Sequence, residues 1–416
     1  MNIYGIIILA ALLLDYALNL AADLLNLKHL KKELPKEFED VYEEEEYRRS
    51  QEYTRDRTRF GFVSSTFSLA VILVFWFAGG FNWLDQIVRG FGYGELINGL
   101  IFIGTLLLAQ TIISLPFNIY STFIIEERYG FNKTTAGTFV MDRIKGLLLA
   151  VVIGGPLLAG VLWFFIHAGT LAWLYAWIVI TIFTLAIQFI APTWIMPLFN
   201  KFTPLEEGEL RQAIMDMAEK VKFPLQDVYV IDGSKRSAKS NAFFTGFGKN
   251  KRIALYDTLI EKHSVNELVS VLAHEVGHYK KKHIQKNMAI SILHTGVMLA
   301  LLQLFLTIPG LFDAFYMEQM SVYAGLIFFG LLFTPIEMIL GIMMQMLSRK
   351  HEFEADRYAV ETTENPDGMI NALKKLSADN LSNLSPHPFY VFLNYSHPPV
   401  AERIKAIRNL AAETSS

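Results

Sequence analysis

The sequence contains no cysteine, and this absence excludes several kinds of protein. A disulfide framework, a thiolate metal site and a cysteine nucleophile all require cysteine. Glycine-rich phosphate-binding motifs, nucleic-acid-binding signatures and internal repeats are absent too, so we expect no nucleic-acid partner. The net charge of -3 arises from 37 basic and 40 acidic residues that are mixed along the chain, and it indicates no particular partner.

Apolar residues, by contrast, are abundant. They make up 52% of the 416 positions, and the mean hydropathy of +0.32 is higher than that of an ordinary soluble protein. Seven stretches are long enough to cross a hydrocarbon core of roughly 30 Å, at about 4–26, 61–84, 97–119, 146–167, 172–192, 288–309 and 323–347. The first lacks the basic start and the cleavage site of a signal peptide, so we expect it to stay as a transmembrane helix. The sequence therefore predicts a mainly α-helical, multi-pass membrane protein.

Several polar residues lie inside the predicted spans. Asp15, Asn19 and Asp23 recur every four residues and form one stripe along the first helix. Further examples are Gln110, Gln188, His294 and Glu337. Because exposing ionisable groups to lipid is costly, two interpretations are open: a water-filled chamber inside the membrane, or hydrogen bonds between packed helices.

The segment HEVGH at 274–278 is the most informative motif. On an α-helix, positions i and i+4 lie on one face, so His274 and His278 can bind a single Zn²⁺ ion. Glu275 then lies where a general base for water would act. Coincidence is the alternative, since on the order of one chain in a hundred of this length would carry such a motif by chance. We predict a peptidase that holds one Zn²⁺ per chain, provided that other residues complete the site.

The residues around the motif indicate a helix. Apolar positions recur at helical spacing, and either Ser264 or Asn266 is available as the N-cap. We expect one unbroken helix that runs through the motif to about Gln285 and continues into the apolar stretch from Met288. On such a helix His283 would lie off the ligand face, so we do not expect it to bind the metal.

Residues 351–356 offer a third ligand. Glu352 and Asp356 are four positions apart and share a helix face, whereas Glu354 points to the opposite side. We predict Glu352 as the third zinc ligand and Asp356 as the hydrogen-bond acceptor for the far nitrogen of a ligating histidine. An acidic helix surface beside basic residues is the alternative, and the pairing with HEVGH makes it the weaker explanation.

The basic residues indicate the orientation in the membrane. Loops 27–60 and 120–145 carry nine and four Lys and Arg residues, whereas Arg89 is the single basic residue in the loops of the other side. Because basic loops stay in the cytoplasm, this contrast predicts an N-terminus outside. Two spans separate HEVGH from Glu352, so both fall on the cytoplasmic side.

The segment between the fifth and sixth spans is predicted to have its own structure. A helix at about 206–222 precedes two β-rich runs, 228–231 and 252–256. An edge strand between these runs would bind an extended peptide by strand addition. We expect Asn241 to contact the substrate there, although a simple turn residue would look the same in the sequence.

Several motifs together resemble one known family. They are HEVGH at 274–278, EFEAD at 352–356, SNAFF at 240–244, YSHPP at 395–399 followed by Glu402 and Arg403, GFNK at 130–133 and PLFNKFTP at 197–204. Taken jointly, and spread over most of the chain, they resemble the type I CAAX prenyl proteases, which are integral-membrane zinc metalloproteases.

The resemblance implies a ring of seven helices around an intramembrane chamber, capped on the cytoplasmic face by a zincin-like catalytic domain. It implies location in a lipid membrane and a peptide or protein substrate from which the last three residues are removed after a prenylated cysteine. Whether this chain requires the prenyl group stays open. His397 is expected to stabilise the oxyanion, and the alternative is a role in the turn before the last helix. Arg403 is expected to support the substrate-binding region.

We divide the chain into four segments. They are 1–192 with transmembrane helices one to five, 193–287 with HEVGH, 288–347 with helices six and seven, and 348–416 with the third ligand and the C-terminal helices. Two other functions stay open: a broad quality-control zinc protease for membrane proteins, and a non-enzymatic seven-helix transporter or receptor. We favour a bacterial plasma membrane over the endoplasmic reticulum.

Overall fold

The computed structural model describes residues 1–247 and 250–415, and the side chains outside 244–251 and 414–415. The helices of the described residues are α1 (Ile3–His29), α2 (Glu44–Phe77), α3 (Gly80–Gly90), α4 (Glu95–Tyr120), α5 (Ala136–Leu149), α6 (Gly155–His167), α7 (Ala172–Ile190), α8 (Glu209–Lys220), α9 (Asp257–Lys262), α10 (Val265–Lys280), α11 (His283–Phe305), α12 (Pro309–Asp313), α13 (Val322–Thr363), α14 (Pro366–Asp379), α15 (Pro388–Asn394) and α16 (Val400–Ser415). The strands are β1 (Phe202–Pro204), β2 (Leu225–Ile231), β3 (Ala242–Phe247) and β4 (Asn250–Tyr256). Three π-helical segments, Ser121–Glu126, Ala150–Gly154 and Ala191–Ile195, extend α4, α5 and α7.

Within the described residues, seven helical stretches are long and apolar enough to cross a membrane. They are Ile3–His29, Glu44–Phe77, Glu95–Glu126, Ala136–His167, Gly169–Leu198, His283–Phe305 and Val322–Thr363. The prediction of a mainly α-helical, multi-pass membrane protein with seven spans is therefore confirmed. The helices exceed the apolar stretches because several continue into charged sequence beyond the hydrocarbon region.

The second span differs from its predicted bounds of 61–84. Helix α2 begins at Glu44 in charged sequence and ends at Phe77, because Gly79 adopts a φ of +71°. A left-handed glycine at this position ends a helix without a steric penalty. The apolar residues that follow belong to the separate helix α3.

Helix α13 is 42 residues long and joins the seventh span to the third predicted ligand. Its N-cap is Ser321, whose side chain accepts a hydrogen bond from the Ala324 N–H, and the helix continues through Glu352 and Asp356 to Thr363. The membrane span and one wall of the candidate site are therefore parts of one continuous helix.

The four strands form one sheet in the order β1-β2-β4-β3. Strands β2 and β4 pair in parallel, and β3 pairs antiparallel to β4. The two predicted β-rich runs are confirmed as parts of β2 and β4, and β3 occupies an edge of the sheet. The three-residue β1 was not predicted, because its definition depends on pairing with β2.

The two basic loops pack against the segments that carry the predicted site. Lys374 Nζ of α14 lies 2.9 Å from Asp40 Oδ2 in the first basic loop. Arg236 Nε lies 2.7 Å from Asp142 Oδ2 of α5. These contacts place the basic loops and the catalytic segments on one side of the helical bundle.

Some of the polar groups inside the spans have protein partners. Asn19 Nδ2 donates to the Asp15 carbonyl and carboxylate at 3.0 and 3.2 Å. His294 Nε2 of α11 lies 3.1 Å from Glu337 Oε1 of α13. Contacts within and between helices therefore account for part of the intramembrane polarity.

Candidate active site

Helix α10 carries HEVGH, and its N-terminus is well defined. The Ser264 hydroxyl accepts the Glu267 N–H at 3.4 Å, and Glu267 Oε2 accepts the Ser264 N–H at 2.8 Å. This reciprocal capping box identifies Ser264, rather than Asn266, as the N-cap. Along the inner face, Leu272 and Val276 are completely buried, which fixes the rotation of the helix and the direction of its histidines.

The prediction that this helix continues unbroken to about Gln285 is wrong. Helix α10 ends at Lys280, Lys282 adopts a left-handed φ of +59°, and α11 begins at His283. Left-handed backbone costs a non-glycine residue roughly 1–2 kcal/mol. The surrounding contacts outweigh this cost and turn the chain so that His283 points back toward His278.

Helices α10 and α13 pack together along the motif, and this packing assembles three predicted ligands. His274 Nε2 lies 3.1 Å from His278 Nε2, and Glu352 lies 3.5 Å from His274 Nε2 through Oε2 and 3.3 Å from His278 Nε2 through Oε1. Donor atoms about 2.0–2.1 Å from one tetrahedral zinc ion would be separated by about 3.3 Å. Among the described residues, this is the group of three that could hold a metal ion.

The donor set also has the chemistry that a metal requires. Glu352 Oε2 is buried and makes no hydrogen bond, although Arg403 Nη1 lies 3.3 Å away. Two imidazole nitrogens and one carboxylate oxygen converge on a common point, and a cation there would satisfy all three. The residues therefore fit a metal ion.

Behind this group, Asp356 and Arg403 form a second layer. Asp356 Oδ1 lies 2.8 Å from His274 Nδ1, the nitrogen on the far side of the ring. Arg403 Nε and Nη2 donate to the two Asp356 oxygens at 2.7 and 2.6 Å. Arg403 is 8% exposed. These contacts favour a positioning role for Arg403 over the predicted support of the substrate region.

The electrostatics of the site suit a bound cation. Burial alone would lower the pKa of His274, but the carboxylates of Asp356 and Glu352 raise it to about 9. Burial raises the pKa of Glu275. The same two carboxylates would stabilise a bound metal ion, to which His274 would contribute an unprotonated nitrogen.

A cavity of about 530 Å³ lies beside the three donor residues. Its lining includes His274, Glu275, Glu352, His397 and Arg403. Helix α14 and the segment that leads into α16 form the opposite wall. This volume is typical of a ligand-binding cleft.

His397 lies at the mouth of this cavity. Its Nε2 is 3.5 Å from Glu352 Oε1, and its Nδ1 is 2.8 Å from the Ser396 hydroxyl. The side chain is 63% exposed. A group placed in this way can reach a molecule that lies between it and the donor residues.

Asn241 lies at the start of the edge strand β3. Its Oδ1 accepts the N–H of Ala242 at 2.8 Å, and its carbonyl accepts the N–H of Tyr256 at 3.1 Å. The side chain is exposed. Of the residues described, the structure therefore places Asn241 at the edge of the sheet rather than among those lining the cavity.

The sequence does not predict the contacts that His283 and Glu354 make. His283 Nδ1 lies 3.0 Å from His278 Nδ1, and His283 Nε2 lies 2.9 Å from Glu354 Oε2. His283 does not belong to the donor group, as expected, but it contacts a member of it. His283 follows three lysines, 280–282, and this basic sequence does not predict the helix break that makes the contact possible.

Seven membrane helices and a His-His-Glu donor group on the HExxH pattern define an integral-membrane metalloprotease. Residues 23–201 match the family model described as CAAX prenyl protease N-terminal, five membrane helices, and residues 204–411 match the model of peptidase family M48. The chain belongs to peptidase family M48. This membership favours an enzyme over the non-enzymatic alternative.

Individual relatives agree with this assignment. The CAAX prenyl protease 1 homolog of Arabidopsis thaliana is 37% identical over 90% of each chain. CAAX prenyl protease 1 of Saccharomyces cerevisiae is 36% identical over 90% of this chain and 88% of its own. The crystal structure of Ste24p from S. mikatae superposes with a TM-score of 0.90 at 35% identity and covers 98% of this chain and 99% of its own.

Proposed function

We propose that the protein is a zinc metalloendopeptidase that removes the last three residues of proteins whose C-terminal CAAX motif carries a prenylated cysteine. The observation that carries the proposal is the convergence of His274, His278 and Glu352 beside a cavity that Glu275 also lines. The names of the relatives support the substrate class. The four-segment division, 1–192, 193–287, 288–347 and 348–416, is part of the same proposal.

The donor residues favour zinc among the divalent metals. Two imidazole nitrogens and one carboxylate oxygen are the protein ligands of many catalytic zinc sites, which keep a fourth position open. A Zn²⁺ ion held by His274, His278 and Glu352 would lower the pKa of water and polarise the scissile carbonyl. Asp356 would orient His274 by accepting the proton on Nδ1, and Arg403 would hold Asp356 in place.

The other residues of the cavity have separate roles. Glu275 accepts a proton from the attacking water while the water oxygen bonds to the carbonyl carbon. Glu275 then gives that proton to the leaving nitrogen as the C–N bond breaks. His397 donates a hydrogen bond where negative charge develops on the carbonyl oxygen. Its exposure at the mouth of the cavity leaves it free to approach the substrate.

Substrate binding is assigned to the edge of the sheet. Strand β3 has a partner on one side in β4, so its other edge can pair with an extended peptide. Asn241 precedes this strand with an exposed side chain, and we assign it a contact with the substrate.

The proposal extends to the membrane domain, which we propose encloses a water-filled chamber. The accessible surface is 21,490 Å², whereas a compact protein of 47.3 kDa would expose about 16,000 Å². Helices arranged around a water-filled chamber would produce such an excess.

The orientation in the membrane is part of the same proposal. The basic loops pack on the catalytic segments, which supports an active site on the cytoplasmic side and an N-terminus outside. A bacterial plasma membrane, rather than the endoplasmic reticulum, stays a prediction, and the relatives compared above are eukaryotic.

The test uses the purified full-length protein and two peptides that differ only in the prenyl group of the cysteine. We expect about one zinc per chain and faster cleavage of the prenylated peptide. Glu275→Gln should keep the zinc and lose on the order of 10²–10⁴-fold in rate, since a general base is removed.

Each component of the proposal can fail separately. Equal cleavage of both peptides would instead support a broad quality-control protease for membrane proteins. Absence of zinc, together with unchanged cleavage by Glu275→Gln, would falsify the metallopeptidase mechanism.

A further inference from the structure

We propose that His283 and Glu354 form a positioning pair for the ligand His278, in which His283 holds the proton of the His278 ring on Nδ1. This inference rests on the proposed function, because it concerns how the chain binds zinc. Neither residue lies in the donor group. Their effect would pass entirely through the orientation and the protonation of His278.

The three side chains form one line of hydrogen-bonding atoms. His278 directs Nε2 toward the other donors, 3.1 Å from His274 Nε2 and 3.3 Å from Glu352 Oε1. Its Nδ1 faces His283 Nδ1 at 3.0 Å. On the far side of the second ring, His283 Nε2 lies 2.9 Å from Glu354 Oε2.

One placement of the ring protons allows both hydrogen bonds, from His278 to His283 and from His283 to Glu354. A neutral imidazole that binds a metal through Nε2 carries its proton on Nδ1. His278 therefore donates from Nδ1, and His283 accepts on its own Nδ1. His283 then carries its proton on Nε2 and donates it to the Glu354 carboxylate, which can only accept. Glu354 thus fixes the tautomer of His283, and His283 fixes that of His278.

The two ligand histidines are supported in different ways. His274 donates directly to the carboxylate of Asp356, at 2.8 Å. The corresponding nitrogen of His278, Nδ1, is connected among the described residues to the Glu354 carboxylate through the ring of His283. Both carboxylates come from helix α13, which also supplies Glu352, so one helix orients both histidines and provides the third donor.

The helix break at Lys282 makes this arrangement possible. On a continuous α-helix, residues five apart are rotated by about 140° around the axis, and their side chains point to different faces. The left-handed φ of Lys282, +59°, ends α10 and redirects the chain into α11. The left-handed backbone at Lys282 therefore brings His283 into contact with His278.

The ring of His283 is also held by packing. It stacks on His351 with ring centroids 3.8 Å apart and planes 9° from parallel. Both side chains are buried, at 2% and 4% exposure. A stacked and buried ring has little freedom to rotate, so its Nδ1 stays directed at His278.

Two substitutions of His283 separate the hydrogen bond from the packing. His283→Phe keeps a flat ring against His351 but removes the acceptor. His283→Asn loses the ring but places an amide oxygen near the position of Nδ1. If the acceptor matters, His283→Phe should weaken zinc binding by about 10–100-fold, whereas His283→Asn should recover most of the affinity.

The readout is the zinc dissociation constant of the full-length protein, measured by competition with a chelator. Glu354→Gln should also weaken binding, and the His283→Phe/Glu354→Gln variant should be no weaker than the worse single variant, because both act through one hydrogen bond. Additive losses would show that the two residues act independently, which would overturn the pairing.

His263→Gln is the matched control. His263 is another buried histidine beside carboxylates, with Nδ1 3.6 Å from Glu267 and Nε2 3.3 Å from Asp379, at the start of α10 and away from the donors. The His263→Gln substitution should reduce thermal stability and leave the zinc affinity within about twofold of wild type.

The outcomes distinguish this inference from the proposed function. The inference alone would be overturned if folded His283→Phe bound zinc with wild-type affinity while the unsubstituted enzyme had normal zinc content and cleavage. A protein that binds no zinc at all would overturn both.

Discussion

A Cβ atom built on Gly277 of α10 would lie 3.1 Å from both the Cα and the carbonyl oxygen of Ala355 in α13. Backbone atoms cannot move aside as a side-chain end can, so the helices would separate by several tenths of an ångström. Glu352 lies less than one turn from this contact. We expect Gly277→Ala to lower activity by about 10-fold, because a displacement of about 1 Å can cost about 10²-fold and the displacement here is smaller.

The control for this substitution is Gly341→Ala in the same helix α13. A Cβ at Gly341 would meet no atom within 4 Å. Alanine also favours the helix by roughly 1 kcal/mol. Zinc content and rates should be unchanged, and an equal loss of activity in both variants would contradict the close-contact explanation.

Arg403 is expected to be essential for stability because it pairs with a buried carboxylate. Arg403→Met would leave the charge of Asp356 without its bidentate partner. Loss of one member of a buried ion pair costs about 3–5 kcal/mol. Thermal unfolding of the purified protein measures this loss.

Replacing Asp356 as well tests whether its unpaired charge causes the loss of stability in Arg403→Met. The Arg403→Met/Asp356→Asn variant should unfold at a higher temperature than Arg403→Met, since Asp356 no longer carries an unpaired buried charge. Its activity should stay low, because His274 has lost its carboxylate acceptor. A double variant that is less stable than the single one would contradict this account.

His397→Ala should reduce kcat by about 10²–10³-fold if the ring donates to the developing oxyanion. Zinc content should not change, because His397 lies outside the donor group. Steady-state kinetics with a prenylated peptide, combined with metal analysis, check both points.

His387→Ala serves as the comparison. His387 caps α15 by accepting the Phe389 N–H on Nδ1 at 3.1 Å, in the same C-terminal segment. It should lower stability and leave kcat near wild type. If both variants behave alike, His397 has the turn role that was its alternative.

Glu267 makes the stability of α10 dependent on pH. Burial alone would raise the pKa of Glu267, but Lys375 and the Ser264 N–H outweigh burial and lower it. A lowered pKa in the folded state stabilises the protein above the pKa of unfolded glutamate, about 4.3. This contribution is lost as the pH falls through the folded pKa. Glu267→Gln should therefore reduce the Tm most at neutral pH.

The measurement compares Tm values at about pH 7 and about pH 4, and the gap between wild type and Glu267→Gln should shrink at the lower pH. At neutral pH the loss of the capping box should cost about 1 kcal/mol. Glu261→Gln, on the exposed face of α9, should show little change. A gap that widens in acid would contradict the sign of the effect.

Much of this architecture could be predicted because it depends on local sequence patterns. Each span is a predominantly apolar run, and the placement of His274 and His278 on one helix face follows from helical periodicity. The association of α10 with α13 was inferred from ligand chemistry, which requires a third donor. The apolar runs, the helical spacing and the ligand residues can all be read from short segments of the sequence.

The break at Lys282 could not be predicted for a physical reason. Residues 280–283 contain no glycine, proline or asparagine, which are the residues that usually mark a helix end. The left-handed backbone is stabilised by tertiary contacts that the sequence does not display. The role of Glu354 was missed for the same reason, since a residue facing away from the ligand face of α13 meets His283 only after the break.

Helix α13 has a consequence for which bonds the enzyme can cut. Glu337, inside the seventh span, and Glu352 belong to one helix, and fifteen residues of helical rise separate them by about 22 Å. One continuous helix therefore sets the distance between the candidate metal-binding group and Glu337 within the span. For the proposed substrate, which a prenyl group would hold in the same membrane, the distance between that anchor and a peptide bond would then select the bond that is cleaved.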